Sequence, residues 1–333
     1  MEKVQLTIGE VAALAQDSLE RHGCDNDNAA AVANVIARAE RDGCHSHGLM
    51  RLPGYVAALD SGKVNGKARP EVEALAPALL RVQGDGGFAP LALQIGRDHL
   101  IEVTQKTGIA AMSLVNIHHF AALWGEIEPI AEAGLCAMAC VSYKPAVIPA
   151  GGSKALYGTN PMAFGWPRKN APPVVFDQAS AVMARGEVML AAREGKSLPD
   201  GVGVDAKGAA TNDPDEVLKG ALLAFGGYKG SSIAMMVELL AGALIGESLS
   251  VEAAVRDNND GGPPRGGEFM LAMDPNLFGD ADGWAERGEK LFGEILAQDG
   301  VRLPGDKRYL NRQESEKNGI NITRENYDKI LAL

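Results

Sequence analysis

The stretch Gly108-Ile-Ala-Ala-Met-Ser-Leu-Val115-Asn-Ile-His-His-Phe-Ala-Ala-Leu-Trp124 decides how the chain is read. Its first eight residues are an apolar run of strand length, and residues 121–133 then follow a helical pattern. Residues 135–142 are apolar again and read as a second buried strand. The alternation continues in both directions. Residues 78–82 read as a strand before a helix over 90–107, and residues 172–176 as a strand running into Asp177. Residues 230–246 form a strongly apolar helix expected at the centre of the molecule. A late strand follows at 269–273, then a loop and helix over 279–298 and a terminal helix over 323–333. Such alternation predicts an α/β sheet with helices packed on it.

The first 65 or so residues have a different character and read as helices. Thr7-Ile-Gly-Glu10 fits a capping box, with Val11, Leu14, Ala15 and Leu19 at helical spacing behind it. Asp25 to Asn28 offer N-caps for a second helix, whose Val32, Val35, Ile36 and Ala39 form one stripe. A third helix is expected over 49–59. Two glycine-rich stretches, 198–208 and 257–267, read as surface loops.

Composition narrows the function. With 333 residues and 46% hydrophobic content, the chain can bury a core without disulfides or metals. A net charge of −11 argues against nucleic acid or an anionic membrane as a partner. The start lacks the layout of a signal peptide, and the most apolar stretch, 233–245, contains Glu238 and is too short to span a bilayer. The cysteines Cys24, Cys44, Cys136 and Cys140 form no disulfide framework, so a cytoplasmic protein is expected. Cys136 and Cys140 read as inert core thiols.

Four of the six histidines fall in two sets. In Asp42-Gly-Cys-His-Ser-His-Gly-Leu-Met-Arg51, His47 and Arg51 share a side of a helix that starts near Gly48. An imidazole can donate a proton near neutral pH, and a guanidinium can hold a carboxylate through two parallel bonds. That pair suits a reaction on a 2-oxo or 2-imino acid, although a capped loop with histidines bonded to backbone has the same spacing. His118 and His119 follow a strand and open a helix, where α/β proteins place ligands; an aromatic turn is the alternative. A four-histidine metal site lacks a carboxylate or thiolate at completing spacing, so no metal is expected. Gly84-Asp-Gly-Gly-Phe-Ala89 matches G-x-G-x-x-A but has no acidic residue ending a second strand some 20 positions on. Phe225-Gly-Gly-Tyr-Lys-Gly-Ser-Ser232 and Arg302-Leu-Pro-Gly-Asp-Lys-Arg308 bring glycines and cations that suit an anionic cofactor, or form plain surface loops.

Ser46-His-Gly48, Gly158-Thr-Asn-Pro161, Asp177 and Arg302-Leu-Pro-Gly305 stand in an order and spacing that resembles the type-2 malate/L-lactate dehydrogenase family over nearly the whole chain. Within it, residues 45–55, 118–124 and 302–308 look most like the Δ1-piperideine-2-carboxylate/Δ1-pyrroline-2-carboxylate reductases. The resemblance implies a non-Rossmann NAD(P)-binding α/β fold. An N-terminal helical domain (1–70), joined by the C-terminal segment 305–333, would lie beside a central domain (71–304) with a mixed sheet. Residues 84–89 then become a turn. It implies a homodimer that reduces cyclic imino acids with NADPH, or alternatively NADH; a 2-hydroxy-acid dehydrogenase is the rival activity. Carried over by position, Ser46, His47 and Glu187 are the catalytic set, with Glu187 standing where relatives have an aspartate. Arg51 and Thr159 bind substrate. His119, Phe120, Ala121, Ala122, Leu123, Asp177, Gln178, Ala179, Lys229, Arg302, Leu303, Pro304, Gly305, Asp306, Lys307 and Arg308 line the cofactor site.

Overall fold

The computed structural model describes residues 2–281 and 283–333. Strand β1 (Lys3–Leu6) leads into α1 (Ile8–Arg21), α2 (Asn26–Arg41) and, after two tight 3₁₀ turns, α3 (Leu52–Asp60). The capping box forms at the start of α1: the Glu10 N–H donates to Thr7 Oγ1 at 3.1 Å, and the Thr7 N–H donates to Glu10 Oε2 at 2.7 Å. Asp25 caps α2 through the Asn28 N–H. The inward stripes bury Val11, Leu19, Val32 and Ile36 with Leu52 and Tyr55 of α3.

The centre of the molecule is built from β2 (Glu71–Ala76), β3 (Leu79–Gln83), α4 (Ala89–Thr107), β4 (Ile109–His118), α5 (Trp124–Glu132), β5 (Cys136–Val141), β6 (Met162–Trp166) and β7 (Val174–Gln178). A lobe follows, made of α6 (Arg185–Glu194), β8 (Gly203–Val204), β9 (Ala210–Thr211), α7 (Pro214–Lys219) and β10 (Ala221–Leu222). The chain continues through α8 (Tyr228–Glu238), a π-helical turn over Leu239–Ala243, α9 (Ser250–Arg256), β11 (Arg265–Met273) and α10 (Trp284–Leu296). It closes with α11 (Asp306–Asn318), β12 (Ile320–Thr323) and α12 (Arg324–Leu331).

The seven-stranded sheet has the order β2-β3-β4-β11-β5-β6-β7. Only β3 and β4 pair in parallel; every other pairing is antiparallel. This mixed sheet is not the parallel, doubly wound sheet of a Rossmann domain. The turn at 84–89 agrees: the Gly84 and Gly86 N–H groups donate to Val115 and Asn116 carbonyls, and the Gly87 N–H to the Gly84 carbonyl. A β-carbon at Gly84 would meet Ile117 Cγ2 at 2.2 Å. These glycines permit close packing and leave no N–H array for a pyrophosphate. Helices α4 and α5 bury Leu93, Leu100, Ile127 and Ile130 against Met112, Leu114, Ala139 and Met270 of the sheet.

Three expectations from the sequence are corrected. The apolar helix over 230–246 is not central. Val237 and Ala241 face Cys140 of β5, while Tyr228, Met235, Leu239 and Leu244 are exposed. Residues 198–208 are not a surface loop throughout, because Leu198, Val202 and Val204 are buried in the lobe. Residues 302–308 are not a plain loop but the turn into α11, a helix the sequence reading did not anticipate. The cysteine reading stands: all four thiols are free, and burial pushes Cys136 to about 11 and Cys140 to about 12.

The two ends of the chain meet. β1 pairs antiparallel with β12, and Ile320, Ile322 and Ile330 complete the apolar cluster of α1 and α2. Beside them, Arg312 of α11 grips two fully buried carboxylates. Its Nε and Nη2 donate to Asp42 at 3.0 and 2.6 Å, and Nη2 reaches Glu128 of α5 at 2.9 Å. Arg41 and Arg38 of α2 complete the network on Asp42 and Glu128. Removing one partner of a buried ion pair leaves the other charge desolvated. Arg312→Ala is therefore expected to lower unfolding free energy by about 3–5 kcal/mol, measured by urea denaturation, whereas Arg324→Ala, on an exposed pair with Glu2, changes it by less than about 1 kcal/mol.

Candidate active site

A cleft of about 590 Å³ opens between α3, the carboxyl ends of β4, β5 and β7, and the lobe. Its first wall is the turn from Cys44 to Arg51. Glu40, buried on α2, holds this turn from beneath: Oε1 accepts the Leu49 N–H at 2.8 Å and Oε2 faces His45 Nδ1 at 2.5 Å. Gly48 lies flat on that carboxylate, where a β-carbon would be 2.1 Å from Glu40 Oε1. Ser46, His47 and Arg51 are thereby presented together. Ser46 Oγ and His47 Nδ1 are hydrogen-bonded at 3.1 Å, and Arg51 Nε donates to the Ser46 carbonyl at 2.7 Å. The Arg51 guanidinium stacks over the Phe120 ring at 4.5 Å. His47 is partly open to the cleft but deeply surrounded. Desolvation, with Arg51 and His119 adding positive charge nearby, lowers its imidazole to about 3.

The second wall is Gly158-Thr-Asn-Pro161. Asn160 is buried with a left-handed φ of 40°, and its amide donates to the Ala234 carbonyl and to Glu238 Oε1. Gly158 passes so close to Tyr143 that a β-carbon would lie 2.6 Å from its carbonyl oxygen. This anchoring leaves Thr159 on the cleft. The third wall is the segment after β4. His119 Nε2 donates to Glu126 Oε1 at 2.7 Å, and Phe120, Ala121, Ala122 and Leu123 line the cleft up to the start of α5. Asp177, at the end of β7, accepts the Trp124 N–H at 3.4 Å. Burial raises its carboxyl, with Arg308 opposing.

The fold thus gathers His47, Arg51, Thr159, Glu187, the five residues from His119 to Leu123, and Asp177, Gln178 and Ala179 around one cavity. Ser46 is bonded to His47 at its edge. Glu187 lines the cleft from the first turn of α6, but among the described residues its carboxylate makes no hydrogen bond with Ser46 or His47. It is Gly186 that packs on Ser46, a β-carbon there falling 3.2 Å from Ser46 Cβ. The remaining positions lie elsewhere. Lys229 is exposed on the first turn of α8. Leu303 and Pro304 line a different, apolar cavity of about 870 Å³, with Phe164, Trp166, Phe292 and Trp284. Asp306 folds back on the Leu303 N–H, Arg302 and Lys307 are exposed, and Gly305 makes the turn. Arg308 approaches from behind, donating to the Val175 carbonyl and stacking on Trp124.

Tyr143, Lys144 and Arg185 also line the cleft and were not singled out from the sequence. Glu40 and Glu268 were missed as well. For Glu268 a signal was present, since an acidic residue directly precedes the apolar strand residues Phe269 to Met273. A nicotinamide fits the lining. Ala121, Ala122, Ala179 and Ala181 contribute small apolar side chains to the same cleft as His47, Arg51 and Thr159.

An imidazole and a guanidinium on the turn before α3 face a cleft at one end of the mixed sheet, an arrangement suited to an oxidoreductase. Comparison with known proteins is specific: residues 6–331 match the malate/L-lactate dehydrogenase family, and the chain belongs to it. It is 46% identical to a Δ1-pyrroline-2-carboxylate reductase of Ancylobacter novellus, covering 100% of this chain and 98% of the relative. It is 45% identical to a Δ1-pyrroline-2-carboxylate/Δ1-piperideine-2-carboxylate reductase of Pseudomonas aeruginosa, covering 99% of both. The crystal structure of the Δ1-piperideine-2-carboxylate reductase from Pseudomonas syringae pv. tomato superposes with a TM-score of 0.95 at 41% identity, covering 99% of each chain. Among the described residues no helix is long and apolar enough to cross a membrane. Gly48→Ala is expected to displace Glu40 and with it the turn, lowering kcat/KM at least ~10-fold, read in a steady-state nicotinamide assay alongside a circular-dichroism melt.

Proposed function

We infer that this chain reduces cyclic imino acids, Δ1-pyrroline-2-carboxylate to L-proline and Δ1-piperideine-2-carboxylate to L-pipecolate, with NADPH preferred over NADH. The observation that carries the reading is the pairing of Arg51 with His47 on one turn, because the substrate's carboxylate and its reacting C=N bond are one carbon apart. The full-length likeness to proteins of that name supports it. The family's nicotinamide, when bound, supplies a hydride to C2 of the imine.

The chain's own residues do the rest. Arg51 has committed Nε to the Ser46 carbonyl, so its two Nη groups form the fork that takes the carboxylate. Stacking on Phe120 fixes the plane of that fork. His47 enters the reaction neutral. An incoming carboxylate offsets the Arg51 charge that helps keep it so, and the imidazole gains proton affinity as substrate binds. Ser46 holds Nδ1, leaving Nε2 to pass a proton to the substrate nitrogen. Glu187, lining the same cleft from α6, is the acidic member of the catalytic set. Asp177, Ala179 and the His119–Leu123 segment shape the nicotinamide pocket, with the Arg302–Arg308 turn bracing it from behind. The division into residues 1–70 with 305–333, and 71–304, places the cleft where the two units meet.

A second copy of the chain covers the outer face of α8 and α9. There Tyr228, Leu244 and Val255 are 69%, 64% and 87% exposed, and Met235, Leu239 and Val251 are exposed too, apolar side chains that a partner surface would cover. Leu244→Glu is expected to turn a homodimer into a monomer in analytical ultracentrifugation; a wild-type protein that sediments as a monomer refutes the dimer.

The activity is tested by nicotinamide oxidation with pyrroline-2-carboxylate, pyruvate and oxaloacetate side by side, with each cofactor. The imine should be turned over at least ~100-fold more efficiently than either keto acid, and Arg51→Lys should lower kcat/KM for it by roughly 100-fold, since an ammonium lacks the planar fork. Comparable turnover of pyruvate or oxaloacetate would assign a 2-hydroxy-acid dehydrogenase instead.

A further inference from the structure

Behind the third wall of the cleft lies a carboxyl pair that the reaction scheme does not use. In β11 the register slips between Gly266 and Glu268, so Val115 and Asn116 of β4 face one residue, and Glu268 follows the bulge fully buried. Glu126, buried on α5, approaches it. His119 Nε2 is 2.7 Å from Glu126 Oε1 and 3.8 Å from Glu268 Oε2, and one ligating atom from each of the three side chains lies within 4.8 Å of the others. As two carboxylates the pair is unstable. Glu126 Oε2 and both Glu268 oxygens are buried without any hydrogen-bond donor. Buried polar groups are almost always paired, and two like charges in one desolvated site disfavour double ionisation. A single proton between the carboxyls answers both problems. Burial and the neighbouring Glu126 charge push the Glu268 carboxyl well above the usual carboxylate range.

We propose that Glu126 and Glu268 share one proton at neutral pH, and that the single negative charge remaining on the pair governs proton exchange at His119, making the two glutamates positioning residues for chemistry in the cleft. The second half of this proposal rests on imine reduction at His47 and Arg51; the first half does not. His119 is bonded to the pair at Nε2 and lines the cleft beside His47, so a charge on the pair is felt where the substrate nitrogen takes its proton. Around the pair, Tyr55 of α3, Arg97 of α4, Cys140 of β5 and Asp177 of β7 are the other titratable or charged groups within electrostatic reach, with His47 coupled through His119. Arg97 is the one cation among the first four; of the pair it is coupled to Glu126, and it is also coupled to Asp98, Glu132 and Arg38. The proton given up to the substrate nitrogen is returned from solvent, so no further reactant is needed.

Infrared difference spectroscopy tests the pair directly. The wild-type protein at pH 7 should show a buried, protonated carboxyl C=O band that is absent from Glu268→Gln; no such band overturns the proposal. Glu126→Gln removes the charge facing His119. It should lower kcat ~100-fold, leave the Kd for the nicotinamide within about 2-fold, and move the alkaline limb of the kcat–pH profile to lower pH. A profile superimposable on wild type, or equal losses in kcat and cofactor affinity, refutes the link to His119. Stoichiometric divalent metal in purified wild-type protein, lost in Glu268→Gln, would also overturn the proposal by making the cluster a metal site. The infrared band reads the pair even if no imine is reduced, which separates this failure from failure of the assigned activity.

Discussion

The Arg312 guanidinium ties together α2, α5 and α11 through two buried carboxylates. Asp42 ends α2, Glu128 lies mid-way along α5, and both carboxylates are withdrawn from water. Neither is stable there alone; Arg41 and Arg38 of α2 each bond one of them, and Arg312 bonds both. The ion pair therefore dictates where α11 docks. Through α11 it sets Arg308 on Trp124 and the Val175 carbonyl, hence the back of the pocket at Asp177. Through Asp42 it also fixes the residue from which the turn carrying Ser46, His47 and Arg51 departs.

The site itself is an exercise in controlled desolvation. Burial, with the Arg51 and His119 charges adding to it, lowers the His47 imidazole well below its ordinary value. That arrangement is wasteful for a resting protein and useful for one that receives an anion, because the arriving charge reverses part of the penalty. Glu40 and Gly48 make it mechanically sound: the carboxylate seated beneath the glycine prevents the turn from relaxing towards a more hydrated form.

Much of this was legible in the residues. The Thr7–Glu10 cap, the Asp25 cap and the strand at Cys136–Val141 follow from local chemistry and appear almost where periodicity puts them. His47 and Arg51 do line one cleft, but not through a helix starting near Gly48: Gly48 separates two 3₁₀ turns, and α3 begins only at Leu52. What escaped notice depends on distant partners. Strand β4 runs on to His118 because Arg265 and Gly266 pair with it, so α5 begins at Trp124 rather than at Ala121. Helix α11 buries no residue and is held by ion pairs, so it has no apolar stripe to read. The apolar stretch around α8 reads as a core element because hydrophobicity alone does not distinguish a protein's interior from an exposed apolar face. Lys229 in its glycine-rich turn and Arg302 in its run of three cations suit an anionic ligand by local chemistry, and nothing local reveals that neither lines the cleft.

The pairing of β1 with β12 has a consequence in time as well as in space. Ribosomes deliver the chain from its first residue onward, at roughly 5–20 residues per second. The helices carrying Val11, Leu19, Val32 and Ile36 are thus made long before Ile320, Ile322 and Ile330 emerge to cover them. For tens of seconds of translation at that pace, a nascent chain carries an unfinished greasy flank. Its maturation belongs with slow, high-contact-order folding, in which a segment synthesised late covers one synthesised early.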